Sequence, residues 1–336
     1  MTIKIGLIGC GGIAEWHIKG YLKLEDVQVT AVCDVVEENA RQRAEEVGGA
    51  ELFRDFRSLM AEADVDAVDI CLPHHLHKDA IVAAAAAGKH ILCEKPLCLT
   101  LQEAAAVKQA VDERGVMLMC AHNQLFIPAV QQAKKLLNEG ILGQVYELRT
   151  TSCFYHTFNM ETIGWRGERA KIGGGELIDT GYHPLYLLLY LAGSAPVEVT
   201  AMLSKHRLHF MDGEDSAQVL VRFANGVLGN IVTSWAYEPP DTIEKFLVVG
   251  ERGYMYSIGA SSSAVRELHY KLRGATPVSE TLQLGAVNTF EAEIADFVAC
   301  LREKCRPINN HDDGINVLKI ILGAYRSVEE KRTITL

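Results

Sequence analysis

Short apolar runs alternate with helical patterns through the first 120 residues, and this alternation constrains the fold more than any other feature. Ile3 to Gly9 is almost wholly apolar, as a strand buried on both faces should be. A helical pattern follows from Ile13 to about Leu24, then an apolar run from Val27 to Cys33 and a Glu/Arg-rich helix from Glu37 to Val47. Val65–Leu72, His90–Cys93 and Val116–Ala121 read as further strands, separated by helices over Asp79–Ala87 and Leu101–Arg114. Thr100 and Glu103 form a capping box ahead of the second of these helices. Such alternation predicts right-handed βαβ units around a parallel sheet.

After residue 122 the pattern changes. A helix with Pro128 in its first turn runs to Glu139, followed by a glycine-rich segment, an apolar helix ending near Gly193, and several strands without long helices between them. Ala217–Phe223 and Val227–Trp235, joined through Asn225-Gly226, form the clearest hairpin. Closing helices span Glu291–Arg302 and Asp313–Glu330. With 336 residues, more than one core usually organises, two domains are expected: 1–122, an α/β unit, and 123–336, an α+β unit with a large open, mostly antiparallel sheet.

A net charge of -10 argues against general affinity for nucleic acid or anionic membrane. The first residues enter a strand pattern at once, leaving no room for a signal peptide, and no apolar run approaches the roughly 20 residues of a membrane span. Nine scattered cysteines without a C-x-x-C pair suit the reduced thiols of a cytoplasmic protein. His74, His75 and His77 lack the accompanying cysteines or carboxylates of a recognised spacing, so no metal is expected.

Gly9-Cys10-Gly11-Gly12-Ile13-Ala14 matches the alanine form of G-x-G-x-x-G/A, and it lies between the first strand and the first helix. Gly9 permits the tight turn, Gly11 lets the backbone approach a pyrophosphate, and Ala14 keeps helix and sheet close. The amides of Gly12 and Ile13 face the anion. Asp34 ends the second strand about 20 residues past the loop, where a carboxylate accepts hydrogen bonds from a ribose 2′-hydroxyl and repels a 2′-phosphate. This pattern predicts a Rossmann domain that takes NAD rather than NADP.

Cys93-Glu94-Lys95-Pro96 falls at a strand's carboxyl end, where doubly wound sheets bind ligands. Together with Pro73-x-x-x-His77, Gly143-Gln144-Val145, Trp165-Arg166, Gly173 to His183 and Asp313-Gly314-Ile315-Asn316, it resembles the Gfo/Idh/MocA oxidoreductases over nearly the whole chain. The resemblance implies an NAD-dependent oxidoreductase acting on a hydroxyl of a sugar or cyclitol, with Lys95, Asp179 and His183 as catalytic residues. It places Leu72, Pro73, His77, Glu94, Lys95 and Asn123 beside the glycine loop in the cofactor site. Asn123, Tyr155, Trp165 and Arg166 join the catalytic residues around the substrate, with His156 a further pocket residue.

The chemistry wants these types. Oxidising a secondary alcohol needs a base for the hydroxyl proton as hydride leaves carbon, and histidine titrates near neutrality. An ammonium group stabilises the developing alkoxide, and a carboxylate can orient the histidine. A spacing of four places Asp179 and His183 on one helical face, but Pro184 predicts a kink or helix start there. Two features depart from the family's common pattern: Tyr186 stands where many members have an acidic residue, and Asn123-Gln124-Leu125-Phe126 lacks an arginine. Two rivals share the scaffold: a redox-neutral glycoside-cleaving enzyme that recycles its NAD, and a non-catalytic nucleotide-binding regulator. Large apolar residues on both faces of the hairpin strands point to a homo-oligomer, dimer or tetramer, joined through the open sheet.

Overall fold

The computed structural model describes residues 2–259 and 264–336, which divide into two compact units. The first comprises residues 1–123 and 290–315, the second 124–289 and 316–336. Two continuous domains parting at residue 122 are therefore not what the contacts delineate. The chain re-enters the first unit near its end, and each unit is discontinuous.

The first unit carries β1 (Ile3–Ile8), α1 (Gly12–Tyr21), β2 (Val27–Cys33), α2 (Glu37–Glu46), β3 (Glu51–Phe53), α3 (Phe56–Glu62), β4 (Ala67–Ile70), α4 (His77–Ala86), β5 (His90–Cys93), α5 (Leu101–Arg114) and β6 (Leu118–Cys120). Its six strands are all parallel, in the order β3-β2-β1-β4-β5-β6. That is the doubly wound order of dinucleotide-binding sheets. The strands are apolar on both faces because helices cover both: every residue of β4 is buried. The capping box of α5 forms as expected, with Glu103 N donating to Thr100 Oγ1 at 3.1 Å and Thr100 N to Glu103 Oε2 at 3.2 Å.

The second unit contributes α6 (Pro128–Asn138), β7 (Val145–Cys153), α7 (Arg169–Ile172), α8 (Glu176–Asp179), α9 (Tyr182–Ala192), β8 (Pro196–Ser204), β9 (Ser216–Phe223), β10 (Leu228–Ser234), β11 (Glu244–Gly250), β12 (Gly253–Ile258), β13 (Glu267–Leu272) and β14 (Val278–Gln283). The chain then forms α10 (Thr289–Glu303) and α11 (His311–Glu330), and closes with β15 (Ile334–Thr335). The nine strands follow the order β14-β13-β12-β11-β7-β10-β9-β8-β15, antiparallel except where β7 and β10 run parallel. The return of α10 to the first unit has a packing cause. Ile294, Phe297 and Val298 are fully buried, and Gly20 of α1 lies so close to Ile294 that an added Cβ would meet it at 2.8 Å.

The expected hairpin is β9–β10, with Val221 opposite Gly229 and Val219 opposite Ile231. Its connection is one residue longer than a two-residue Asn-Gly turn: Phe223 and Val227 close a loop of Ala224, Asn225 and Gly226, with Gly226 at φ +88°. The faces differ more than the sequence suggests. Ala217, Val219, Val221 and Phe223 are buried, while the outward positions of β9 are Gln218, Leu220 and Arg222, so only one outward residue there is large and apolar. Among the described residues no helix is long and apolar enough to cross a membrane.

Candidate active site

The glycine loop leaves β1 through a turn that no other residue fits. Gly9 has φ +90°, and a Cβ there would stand 2.5 Å from the Cys71 carbonyl oxygen. At Gly11 and Gly12 the reverse holds: an added Cβ would meet no atom within 4 Å. The helix α1 starts at Gly12 without a side-chain cap, so its first amides are unclaimed by a capping group. Ala14 is fully buried. Strained turn, open glycine backbone and uncapped helix start together fit a pyrophosphate.

Asp34 is joined to this loop directly. Its Oδ2 accepts from Cys10 N at 2.8 Å and its Oδ1 from Val36 N at 2.8 Å. Two hydrogen bonds leave a carboxylate further lone pairs for sugar hydroxyls. The next residues, Val35 and Val36, are exposed and uncharged, and offer nothing to a 2′-phosphate.

Across the sheet, the loops after β4 and β5 are clamped together by one histidine. His77 is fully buried, with Nε2 2.7 Å from the Leu72 carbonyl oxygen and Nδ1 2.6 Å from that of Pro96. Burial outweighs these carbonyls and holds the ring below the usual histidine range. The Lys95–Pro96 peptide is cis. Lys95 is half-buried, and its backbone N–H donates to Glu94 Oε2 at 3.1 Å. Asn123, buried, follows β6 at the same edge.

Behind Lys95 lies a network that the sequence reading missed. His17, fully buried on α1, sits between Asp69 Oδ2 at 2.8 Å and Glu94 Oε1 at 3.1 Å, and Tyr21 donates to Asp69 at 3.0 Å. Burial disfavours a charged ring, but the Asp69 carboxylate outweighs it, and the His17 imidazole is held well above its usual range. Burial likewise opposes the Glu94 charge, but the hydrogen bond and charge of His17, together with the charge and backbone N–H of Lys95, outweigh it and hold the carboxyl below its usual range. His17, Asp69 and Cys71 offer ligand atoms within 4.8 Å of one another, yet both nitrogens of His17 are already spent on carboxylates. The available signal was a histidine on the buried face of α1, in step with Ala14, Ile18 and Tyr21.

In the second unit, Asp179 ends α8 and His183 is the second residue of α9, with Thr180 and Gly181 between the helices. The helix start expected from Pro184 is therefore present, and the proline sits in the first turn of α9, where its missing N–H costs nothing. Asp179 is buried and accepts from Arg166 Nε at 2.6 Å, while the Arg166 guanidinium lies 4.4 Å over the Trp165 ring. His183 Nδ1 is 2.8 Å from the Tyr186 hydroxyl, which accepts from Gln124 N at 3.1 Å. Tyr186 thus holds His183 from one turn further along α9.

Aromatic groups gather beside Asp179. Arg207 lies 4.0 Å over the exposed Tyr155 ring, His156 stacks on Phe158 at 3.4 Å, and Trp235 Nε1 donates to Thr180 at 2.8 Å. Burial first, and then the Arg166 charge, hold His156 below the usual histidine range. The second unit thus joins a carboxylate–guanidinium pair to rings able to lie against a sugar face.

The sheet order and the glycine loop are those of a nucleotide-binding domain of the Rossmann class. Residues 3–122 match the model of an oxidoreductase family with an NAD-binding Rossmann fold, and residues 130–256 match the GFO/IDH/MocA C-terminal domain. The chain belongs to the Gfo/Idh/MocA oxidoreductase family. It is 30% identical to levoglucosan dehydrogenase of Pseudarthrobacter phenanthrenivorans over 68% of this chain and 67% of that one. It is 26% identical to myo-inositol 2-dehydrogenase of Thermotoga maritima over 99% of this chain and 98% of that one. Among solved structures it is similar to levoglucosan dehydrogenase in complex with NADH and levoglucosan, with a TM-score of 0.90, 26% identity, and 100% and 99% of the two chains covered.

Proposed function

We propose that the chain is an NAD-dependent dehydrogenase that moves hydride between a secondary hydroxyl of a sugar or cyclitol and NAD. The observation that carries this reading is the row of groups along one edge of the first sheet. Asp34 follows β2, the glycine loop follows β1, Leu72 and Pro73 follow β4, Glu94 and Lys95 follow β5, and Asn123 follows β6. Neighbouring strands lie about 4.8 Å apart, so this row spans on the order of 20 Å. A dinucleotide laid along it would have its adenosine ribose at Asp34, its pyrophosphate at the loop, and its nicotinamide toward Lys95. NAD supplies the hydride acceptor. Lys95 stabilises alkoxide charge, His183 takes the hydroxyl proton, and Asp179, paired with Arg166, holds the substrate beside Tyr155 and Trp165. The levoglucosan and inositol dehydrogenases among its relatives support a polyhydroxylated ring as substrate. The test is a panel of sugars, anhydrosugars and inositols with NAD, followed by NADH absorbance. Substrate-dependent NADH formation is expected, and its absence with every polyol contradicts the reading.

Asp34 sets the cofactor preference. Asp34→Ala should weaken NAD binding by about 1–3 kcal/mol through loss of charge-assisted hydrogen bonds. NADP binding should weaken less, because the carboxylate that repels its phosphate is gone. Titration of both cofactors checks this, and wild-type protein that binds NADP as tightly as NAD refutes it.

The protein assembles through the outer face of its second sheet. Met202, Leu220, Leu228 and Tyr254 point outward there, among the Arg222–Glu198 and Arg149–Glu147 ion pairs. Light scattering at micromolar concentration should give a dimer or tetramer, and a monomer contradicts the assignment.

A further inference from the structure

The end of α10 carries two cysteines that the proposed reaction does not use. Lys304, just past the helix, has φ +53°, and the Cys305 N–H donates to the Cys300 carbonyl oxygen at 3.3 Å. A left-handed residue followed by a six-to-one hydrogen bond is the Schellman ending, which brings the side chains at its two outer positions into contact. In most helices that contact is hydrophobic. Here both positions are cysteine, and the two sulfurs stand 3.1 Å apart.

Their surroundings differ. Cys300 is buried, whereas Cys305 is the one exposed cysteine among the described residues. Both line a cavity of about 540 Å³ in the first unit, with His90, Met117, Arg306 and His311. His90 and Met117 lie at the amino ends of β5 and β6, so the cavity is at the opposite edge of the sheet from the glycine loop. A small oxidant can reach Cys305 from solvent or through this cavity. We propose that Cys300 and Cys305 are a modification site, a dithiol that a hydroperoxide converts to an intrachain disulfide.

The chemistry balances in two steps. The Cys305 thiolate attacks the peroxide, the O–O bond breaks, and Cys305 becomes a sulfenic acid as an alcohol or water leaves. Cys300 then gives up its proton and attacks the Cys305 sulfur. The S–O bond breaks, water leaves, and an S–S bond forms. The two thiols lose two electrons and two protons in all, and the peroxide takes them. Burial, together with the neighbouring thiol, pushes Cys300 up to about 12, so it stays protonated until the sulfenic acid appears. Proximity set by the helix ending offsets this low thiolate fraction, because the attack is intramolecular.

Peptide mapping of the full chain after treatment with hydrogen peroxide tests the proposal. The peptide spanning both cysteines should lose two hydrogens, both thiols should resist alkylation, and dithiothreitol should restore them. Cys300→Ser should leave Cys305 as a sulfenic acid trapped by dimedone, and Cys305→Ser should leave Cys300 unoxidised at the same dose. Three wild-type outcomes would overturn it: Cys305 carried to sulfinic acid while Cys300 remains alkylatable, a disulfide between two chains, or both thiols unchanged when the buried cysteines are oxidised.

Discussion

His183→Ala should lower turnover by about 10²–10⁴-fold, the usual cost of losing a general base, while NAD affinity changes little. The separation follows from where the groups lie. The loop, Asp34 and the edge that would hold the dinucleotide belong to the first unit, and His183 belongs to the second. Tyr186 holds the His183 ring at Nδ1, 2.8 Å from its hydroxyl. Tyr186→Phe should therefore reduce turnover by a smaller factor than His183→Ala, since the base survives but loses its orienting partner. Lys95→Met keeps the side-chain length but removes the charge beside the developing alkoxide, and should also act on turnover more than on NAD binding. The falling limb of the pH–rate profile at low pH should vanish in His183→Ala, because that limb reports protonation of the base. Near wild-type turnover in His183→Ala from about pH 6 to about pH 9 would move the base role to another residue.

The largest stability effect should come from His17, a residue with no assigned contact to substrate. His17→Ala leaves the Asp69 and Glu94 carboxylates buried without the cation between them. Removing one partner of a buried ion pair typically costs about 3–5 kcal/mol, because the remaining charge stays desolvated. The signs of the shifts set a pH window. His17 is raised on folding, so its contribution is fully present below about pH 6.5, the ordinary histidine value, and is lost as pH rises through the raised folded value. Glu94 is lowered, so its contribution is present above about pH 4.3 and is lost as pH falls through the depressed folded value. The network is therefore most stabilising between about pH 4.3 and about pH 6.5, and weakens as pH rises from there toward the raised histidine value. Urea unfolding of His17→Ala, Asp69→Ala and the double variant should show a double-variant loss smaller than the sum of the two single losses. A His17→Ala midpoint within about 1 kcal/mol of wild type would mean that the bonds around His17 carry no net stability.

What the sequence disclosed and what it hid divide along physical lines. Gly9–Ala14 and Asp34 were legible because local backbone geometry and one carboxylate at a strand end are written within a short span. The Thr100–Glu103 box was legible for the same reason. β3 escaped notice because Glu51–Phe53 is too short for a period-two pattern to register, and α3, with seven residues, falls just short of two turns. The return of α10 to the first unit was hidden because its partner, Gly20 on α1, is remote in sequence. His17 was overlooked for a related reason: its carboxylate partners Asp69 and Glu94 stand on β4 and just after β5. Tyr186 looked like a lost acid and is instead the hydroxyl that orients His183. The extra loop residue at Ala224–Gly226 shows how Asn-Gly marks a hairpin without specifying its length.

The most direct test of hydride transfer to NAD uses a polyol substrate deuterated at the carbon bearing the reacting hydroxyl. The mass of the reduced cofactor is read after one turnover. Deuterium should appear in the NADH, one for one with a ketone product. Deuterium returned to the sugar product with no reduced NAD accumulating would contradict the dehydrogenase assignment and identify a redox-neutral reaction instead.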